Sequence, residues 1–180
     1  MPRVIYLLKA KKLRSILIFC STKINTKKLG SELKKLGFSV KDIHSDLEQK
    51  ERESALTSFK NRKLNILVAT DILSRGIDIE DIDLVINYDI PNDGEDYIHR
   101  IGRTARAESK GVAFTLIGET DQFKFGEIER FLGNPVQKAK VPLELGETPV
   151  YNPLRRTKFK NRSKQTAGKR NFKGKRKKSR

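Results

Sequence analysis

Three arginines and one histidine occur within eight residues, in the segment His99-Arg-Ile-Gly-Arg-Thr-Ala-Arg106, and no carboxylate lies among them. A guanidinium presents a planar fork of donors that suits phosphate oxygens. Arg103 and Arg106 are three residues apart and share one face if a helix persists through the segment. The segment therefore predicts an anion site, with a solvated basic helix end as the alternative.

Tyr97-Ile-His-Arg-Ile-Gly-Arg-Thr-Ala-Arg106 resembles the last signature of the DEAD-box helicases, and three upstream stretches follow in that family's order. They are Leu17-Ile-Phe-Cys-Ser-Thr22, Gln49-Lys-Glu-Arg52 and Ala69-Thr-Asp-Ile-Leu-Ser-Arg-Gly-Ile-Asp-Ile79. The resemblance covers about residues 4 to 140. It implies the second RecA-like domain of such an enzyme, which closes over ATP held by the first domain.

The same resemblance implies which residues complete the ATP site. Arg103 and Arg106 are expected to reach the γ-phosphate, with Arg106 as the arginine finger that supplies positive charge during phosphoryl transfer. Asp78 is expected to accept a hydrogen bond from a ribose hydroxyl. Gly76 is expected to let the backbone approach the nucleotide, where a side chain would obstruct.

His99 and Arg100 are implied to bond to the acidic motif of the first domain, which would link closure of the cleft to catalysis. For His99 the alternative is a surface histidine with no task. Asp46, together with the serine and threonine at 21 and 22, has helix capping as a second explanation. Capping and phosphate binding can also hold together at one helix N-terminus.

RNA contacts are implied along the backbone of a single strand, without sequence information. The expected contacts are Ser21, Thr22, Lys23, Ser45, Asp46, Gln49, Arg52 and Thr70. Among these, Thr70 is the hydroxyl contact to a phosphate, and the segments 21–23 and 45–46 contribute through their backbone.

The elements that position these residues follow from apolar runs separated by helix-length segments. Strands are predicted at Ser15–Cys20, Phe38–Ile43, Leu64–Ala69, Leu84–Tyr88 and Gly111–Ile117. Helices are predicted at about 24–36, 49–59, 96–101 and 121–132, with Gly37 as a C-terminal stop. This pattern indicates an α/β fold, an open and mainly parallel sheet with helices on both faces, in which ligands gather beyond the carboxyl ends of the strands.

Charge divides the chain into two parts. Of its 39 Lys and Arg residues, 14 lie in Arg155–Arg180, where no acidic residue occurs, so the formal charge of +17 belongs mainly to this tail. We expect a helicase domain over 1–140, then a Pro- and Gly-punctuated linker and a disordered basic RNA-binding tail over 141–180. The tail resembles the nonspecific RNA-binding extensions of helicases.

No Gly-x-x-x-x-Gly-Lys-[Ser/Thr] loop and no Asp-Glu-Ala-Asp stretch occurs in the sequence. We therefore expect an amino-terminal RecA-like domain to precede this chain, to hold most of the ATP and Mg²⁺, and to be required for hydrolysis. No cofactor or metal is expected for this chain alone. The expected activity is ATP-dependent unwinding or remodelling of RNA. The alternatives are a stand-alone nonspecific RNA-binding module without nucleotide chemistry and a superfamily 2 DNA helicase.

The single cysteine, Cys20, lies in a buried strand pattern and is interpreted as core packing. No apolar run approaches the roughly 20 residues that cross a bilayer. Without a signal-peptide pattern, the chain is expected to be cytoplasmic, with no membrane partner, and to be monomeric.

Overall fold

A five-stranded parallel sheet lies at the centre of the chain, as a computed structural model shows. The structure describes residues 1–9, 13–71, 79, 82–106 and 109–154, with the backbone alone at 105, 106, 109 and 110. The strands of the described part are β1 (Ile16–Cys20), β2 (Val40–Ile43), β3 (Ile66–Thr70), β4 (Leu84–Asn87), β5 (Ala105–Arg106), β6 (Ser109–Lys110) and β7 (Val112–Thr115). Its helices are α1 (Pro2–Lys9), α2 (Lys23–Lys35), α3 (Gln49–Lys60), α4 (Gly94–Ile101) and α5 (Gln122–Leu132), with 3₁₀ turns at Glu119–Asp121 and Leu143–Leu145.

The strand order in the sheet is β2-β3-β1-β4-β7, and every neighbouring pair is parallel. Parallel neighbours need long crossovers, and helices α2 and α3 supply two of them. Strands β5 and β6 form a separate antiparallel pair. The predicted α/β fold class is confirmed, while this short hairpin was not predicted.

Each central strand divides its side chains between the two faces of the sheet. On one face, Ile16, Ile18 and Cys20 of β1 pack with residues of α1 and α2. On the other face, Leu17 and Phe19 pack with residues of α3. The near-continuous apolar strands are therefore buried on both sides, as a parallel sheet requires. None of the helices within the described residues is long and apolar enough to cross a membrane.

The boundaries of α2 to α5 agree with the predicted ones to within about two residues, because local capping signals determine them, whereas α1 was not predicted. Gly37 follows α2 with a φ of 83°, and Gly133 follows α5 with a φ of 69°. Such left-handed conformations favour glycine and end a helix. The prediction of Gly37 as a helix stop is confirmed.

The chain beyond residue 140 returns to α5 and covers a third apolar cluster. The ring of Tyr151 contacts that of Phe125 edge-to-face, with 6.4 Å between centroids, and its hydroxyl donates to Glu129 Oε2 at 2.5 Å. The side-chain oxygen of Gln122 accepts from the Asn152 amide at 2.7 Å. Packing therefore continues at least to residue 152, past the predicted boundary at 140. Residues 155–180 lie outside the described residues.

Candidate functional site

Six of the eight predicted RNA contacts lie at the ends of three neighbouring strands, at one edge of the sheet. Strand β3 lies between β2 and β1, and its last residue, Thr70, pairs in register with Cys20. Ile43 at the end of β2 pairs with Ala69. Because the strands are parallel, the segments 21–23 and 45–46 and Thr70 leave the sheet at the same edge. The structure thus brings together residues that the sequence separates by about 50 positions.

Thr22 caps α2 at this edge. Its side chain accepts a hydrogen bond from the Asn25 amide at 3.1 Å. The capping interpretation is therefore confirmed for Thr22. The amides of Lys23 and Ile24 belong to the same first turn, where no intrahelical acceptor is available. This helix start presents positive partial charge to the surface, where an anion would be stabilised.

Asp46 forms two ion pairs across the gap between β2 and α2. Its carboxylate accepts from Lys23 Nζ and from Lys27 Nζ, each at 2.8 Å. These hydrogen bonds, that of Lys23 first, lower the pKa of the Asp46 carboxyl from 3.8 to about 2. Capping by Asp46 was a wrong interpretation, because Glu48 is the N-cap residue of α3 and the Asp46 carboxylate faces the lysines.

The first turns of α3 carry Gln49 and Arg52. Gln49 is exposed and its side-chain nitrogen donates to Glu53 Oε1 at 2.6 Å. Arg52 is half-buried, and its Nε atom is buried with no hydrogen-bond partner among the described residues. A buried donor without a protein acceptor is unusual in a folded domain, and a bound ligand oxygen is one thing that would satisfy it.

Arg100 is the most deeply anchored residue of the basic segment, with 2% of its surface exposed. Its Nε and Nη2 atoms donate to the two carboxylate oxygens of Asp71 at 2.6 and 2.7 Å. Its Nη1 atom donates to Asn87 Oδ1 at 3.2 Å and to the Asp89 carbonyl at 2.8 Å. The guanidinium also lies 5.0 Å from the ring centroid of Phe19.

This arrangement corrects the prediction that Arg100 bonds to an acidic motif of another domain. Four hydrogen bonds to groups of this domain leave little donor capacity, and burial removes the guanidinium from the surface. The partner of Arg100 is Asp71, which lies immediately after β3 in the same chain. The neighbouring His99 is exposed, and its predicted role stays a prediction.

The basic segment is not one continuous helix. Helix α4 ends at Ile101, Gly102 caps it, and Ala105–Arg106 forms strand β5. Arg103 and Arg106 therefore do not share a helical face, which corrects the sequence interpretation. Arg103 is half-buried, and the Arg106 side chain lies outside the described part of the structure, as do both Gly76 and Asp78.

Thr104 fixes the chain between the two arginines. It is 4% exposed, and its hydroxyl donates to the Ile82 carbonyl at 2.5 Å. A Cβ at Gly111 would lie 1.9 Å from Thr104 Oγ1, so only glycine leaves room for this contact. Arg100 and Thr104 thus anchor the segment at both sides of Arg103.

Asp89 is a functional candidate that sequence reasoning missed. Its carboxylate oxygen Oδ2 accepts from the Ser21 amide at 2.8 Å and from Asn25 Nδ2 at 3.1 Å, while its carbonyl accepts from Arg100. Asp89 thereby connects the start of α2 to α4. The available signal was its position, an acidic residue two places after β4 at the ligand-binding edge.

Cys20 is fully buried at the end of β1. Burial, with a smaller contribution from the charge of Asp89, raises the pKa of its thiol from 9.0 to about 12. A thiol that stays protonated is a poor nucleophile and metal ligand. The interpretation of Cys20 as a core residue is confirmed.

The fold and this edge define a class of protein: a RecA-like α/β domain with polar loops beyond its strands and an anchored arginine segment beside them. The chain belongs to the helicase C-terminal domain family of the DEAD-box helicases, since the family model described as "Helicase conserved C-terminal domain" matches residues 1–108. The resemblance stated from the four motifs is thereby confirmed.

Named relatives and solved structures agree with this assignment. The chain is 45% identical over 141 residues to the ATP-dependent rRNA helicase RRP3 of Coccidioides immitis, covering 78% of this chain and 30% of that protein. It is 46% identical over 124 residues to a probable ATP-dependent RNA helicase of Methanocaldococcus jannaschii, covering 69% and 34%. The chain thus spans about a third of the length of these relatives.

The fold is similar to that of the E. coli DEAD-box protein SrmB, crystallised with the regulator of ribonuclease activity A. The TM-score is 0.73 at 34% identity, covering 80% of this chain and 84% of that one. A DEAD-box protein from Methanococcus jannaschii gives a TM-score of 0.72 at 45% identity, covering 77% and 38%. These likenesses favour the helicase interpretation over a stand-alone RNA-binding module or a DNA helicase.

Proposed function

We propose that this chain is the second RecA-like half of an ATP-dependent RNA helicase, which holds single-stranded RNA by its backbone and completes an ATP site with arginines. The clamp formed with a first domain would bend RNA and open duplexes locally, and ATP hydrolysis would release it. The observation that carries the proposal is the common edge at which the ends of β1, β2 and β3 meet beside the anchored arginine segment.

The chemistry of the RNA side supports contacts to phosphates. The start of α2 offers backbone amides, Lys23 offers a cation, and Thr70 offers a hydroxyl next to them in the sheet. The Nε of Arg52, which has no hydrogen-bond partner in the described part of the chain, is a further donor that a phosphate oxygen would satisfy. Such contacts hold the strand without reading its sequence.

The chemistry of the nucleotide side supports arginines that act on a triphosphate. Arg103 follows the buried anchor Arg100 and precedes the buried anchor Thr104, so its backbone is held in place. Arg106 lies two residues beyond that second anchor and is the proposed finger. Positive charge held near a γ-phosphate stabilises the charge that develops in phosphoryl transfer.

The remaining parts of the ATP site are proposed by family resemblance. Asp78 would accept from the ribose, Gly76 would let the backbone approach the nucleotide, and His99 would contact the first domain. A bound magnesium ion would neutralise part of the phosphate charge, and we propose that residues of the first domain hold this ion. The monomeric state, the cytoplasmic location and RNA binding by 155–180 are parts of the same proposal.

Hydrolysis of ATP in the presence and absence of single-stranded RNA tests the proposal. We expect this chain alone to be inactive, and the protein that includes the first domain to show RNA-stimulated turnover. Hydrolysis by this chain alone would contradict the assignment of the phosphate-binding elements to another domain. Stimulation of the two-domain protein by DNA as strongly as by RNA of the same sequence would contradict the choice of substrate.

A further inference from the structure

Lys27 lies on the same face of α2 as Lys23, one helical turn further from the sheet edge. The two ammonium groups bind the two oxygens of one carboxylate, that of Asp46. Gly30 continues this face, and its missing Cβ would lie 3.0 Å from Asp42 Cβ. The close approach of α2 to β2 at Gly30 therefore sets the position of both lysines over the loop after β2.

The loop that carries Asp46 is itself held by a buried histidine. His44 is 4% exposed, and its Nδ1 accepts from the Asp46 amide at 3.2 Å. Its Nε2 lies 3.3 Å from Asp42 Oδ2. The hydrogen bond from its backbone amide to His44 thus holds Asp46 with its carboxylate facing α2. The carboxylate in turn orients the ammonium groups of Lys23 and Lys27.

The triad of Lys23, Lys27 and Asp46 carries a net charge of +1 at the surface. The side chains of the two lysines are 52% and 49% exposed, and that of Asp46 is 38% exposed. One phosphodiester carries a single negative charge, so it would neutralise the triad without displacing either ion pair. The amides of Lys23 and Ile24 at the start of α2 lie beside this charge.

We propose that Lys23 and Lys27, oriented by Asp46, form one phosphate subsite, and that Lys27 is a contact to the RNA backbone. Asp46 is a positioning residue in this subsite, since its carboxylate binds the lysines and not the phosphate. The inference rests on the proposed RNA binding of this domain. It extends the RNA path along α2 by one helical turn.

Salt dependence of RNA affinity tests the role of Lys27. The affinity of the full chain for a single-stranded oligouridine is measured by fluorescence anisotropy across a series of salt concentrations, for the wild type, Lys27→Gln and Lys28→Gln. Loss of one phosphate contact flattens the slope of log affinity against log salt by about 0.7. Lys28 is the matched control, because it is exposed on the same helix but turned by about 100°.

We expect Lys27→Gln to flatten the slope, Lys28→Gln to keep the wild-type slope, and Lys27→Arg to restore it. Equal slopes for Lys27→Gln and Lys28→Gln would overturn the subsite while leaving RNA binding by the domain in place. A wild-type chain that does not bind RNA would overturn the proposed function instead. Acylation of lysines in the wild-type chain gives a second readout, in which RNA should protect Lys27 more than Lys28.

Discussion

Arg100 and Asp71 form a two-point ion pair between a buried guanidinium and a carboxylate that is 19% exposed, with donor–acceptor distances of 2.6 and 2.7 Å. Asp71 lies immediately after β3, the strand that leads to the predicted RNA side, and Arg100 lies in α4, the helix that leads to the predicted nucleotide side. The two sides of the site therefore share one buried electrostatic contact. A buried guanidinium that loses its carboxylate keeps the cost of desolvation without compensation.

Asp71→Ala should accordingly destabilise the domain by about 3 kcal/mol, the lower end for a broken buried pair, because the Asp71 side chain is partly exposed. The exposed pair of Arg130 and Glu127 offers a control, and Glu127→Ala should cost less than about 1 kcal/mol. Urea denaturation of both variants measures the difference. Equal stabilities would mean that solvent compensates Arg100, contrary to its burial.

Asp89→Ala should loosen the start of α2, because the Ser21 amide and the Asn25 side chain lose their common acceptor. We expect faster hydrogen exchange in residues 21–26 and RNA affinity lowered roughly five-fold, equivalent to about 1 kcal/mol for one net hydrogen bond. The Asp89 carbonyl remains, so its contact with Arg100 should persist. Unchanged exchange in this segment would show that the Thr22 cap alone holds the loop.

The strands and most helices followed from the sequence because apolar periodicity and caps are local signals. The strand Leu84–Asn87 and the helix stop at Gly37 are examples. The burial of Arg100 could not be predicted from local signals, because its partner Asp71 lies 29 residues away in the sequence. The sequence of an arginine motif is the same whether its side chains are buried or exposed. The residues of the RNA side were predicted as a set, but Lys27 was not among them, because its contact with Asp46 depends on how α2 packs beside β2.

The segment around Tyr151 was predicted as linker for a similar reason. It has few apolar residues, and its packing depends on a cluster that is remote in sequence. Pro153 lies against α5 so closely that a Cβ at Gly126 would be 2.5 Å from Pro153 Cβ. A chain ending after residue 154 should therefore melt like the full chain, whereas one ending after 140 should lose roughly 2 kcal/mol of apolar burial.

Thermal unfolding of the two truncated chains, with RNA binding measured in parallel, separates the contribution of residues 141–154 from that of the tail. Removing only residues 155–180 should weaken RNA affinity and flatten its salt dependence while the melting temperature stays unchanged. Equal melting temperatures for the chains ending after 140 and after 154 would show that the contacts of Tyr151 add nothing to stability.

The contact of Glu129 with Tyr151 predicts that the stability of the domain depends on pH. Burial acts to raise the pKa of its carboxyl, but hydrogen bonds from Lys138, Tyr151 and the Val136 amide outweigh it and lower the pKa below 4.5. A lowered carboxyl pKa contributes stability that is present above the unfolded value and is lost as pH falls through the folded value. The stability difference between the wild type and Glu129→Gln should therefore be largest above about pH 5 and shrink below about pH 4. A difference that is constant over this range would contradict the lowered pKa, because it would mean that the carboxyl has the same pKa in the folded and unfolded states.

Arg106→Ala tests the proposed finger most directly, in the protein that includes the first domain. Because the RNA contacts belong to other loops of the same edge, RNA affinity should stay near that of the wild type. ATP hydrolysis should fall on the order of 10³-fold or more, as the loss of such an arginine does in other NTPases. Arg130→Ala is the control, because it removes an equal charge from an exposed side chain of α5. Turnover should stay unchanged in this variant, which distinguishes a local effect of Arg106 from an effect of net charge. Wild-type turnover in Arg106→Ala would contradict the finger role of Arg106 and favour Arg103, which lies between the buried residues Arg100 and Thr104.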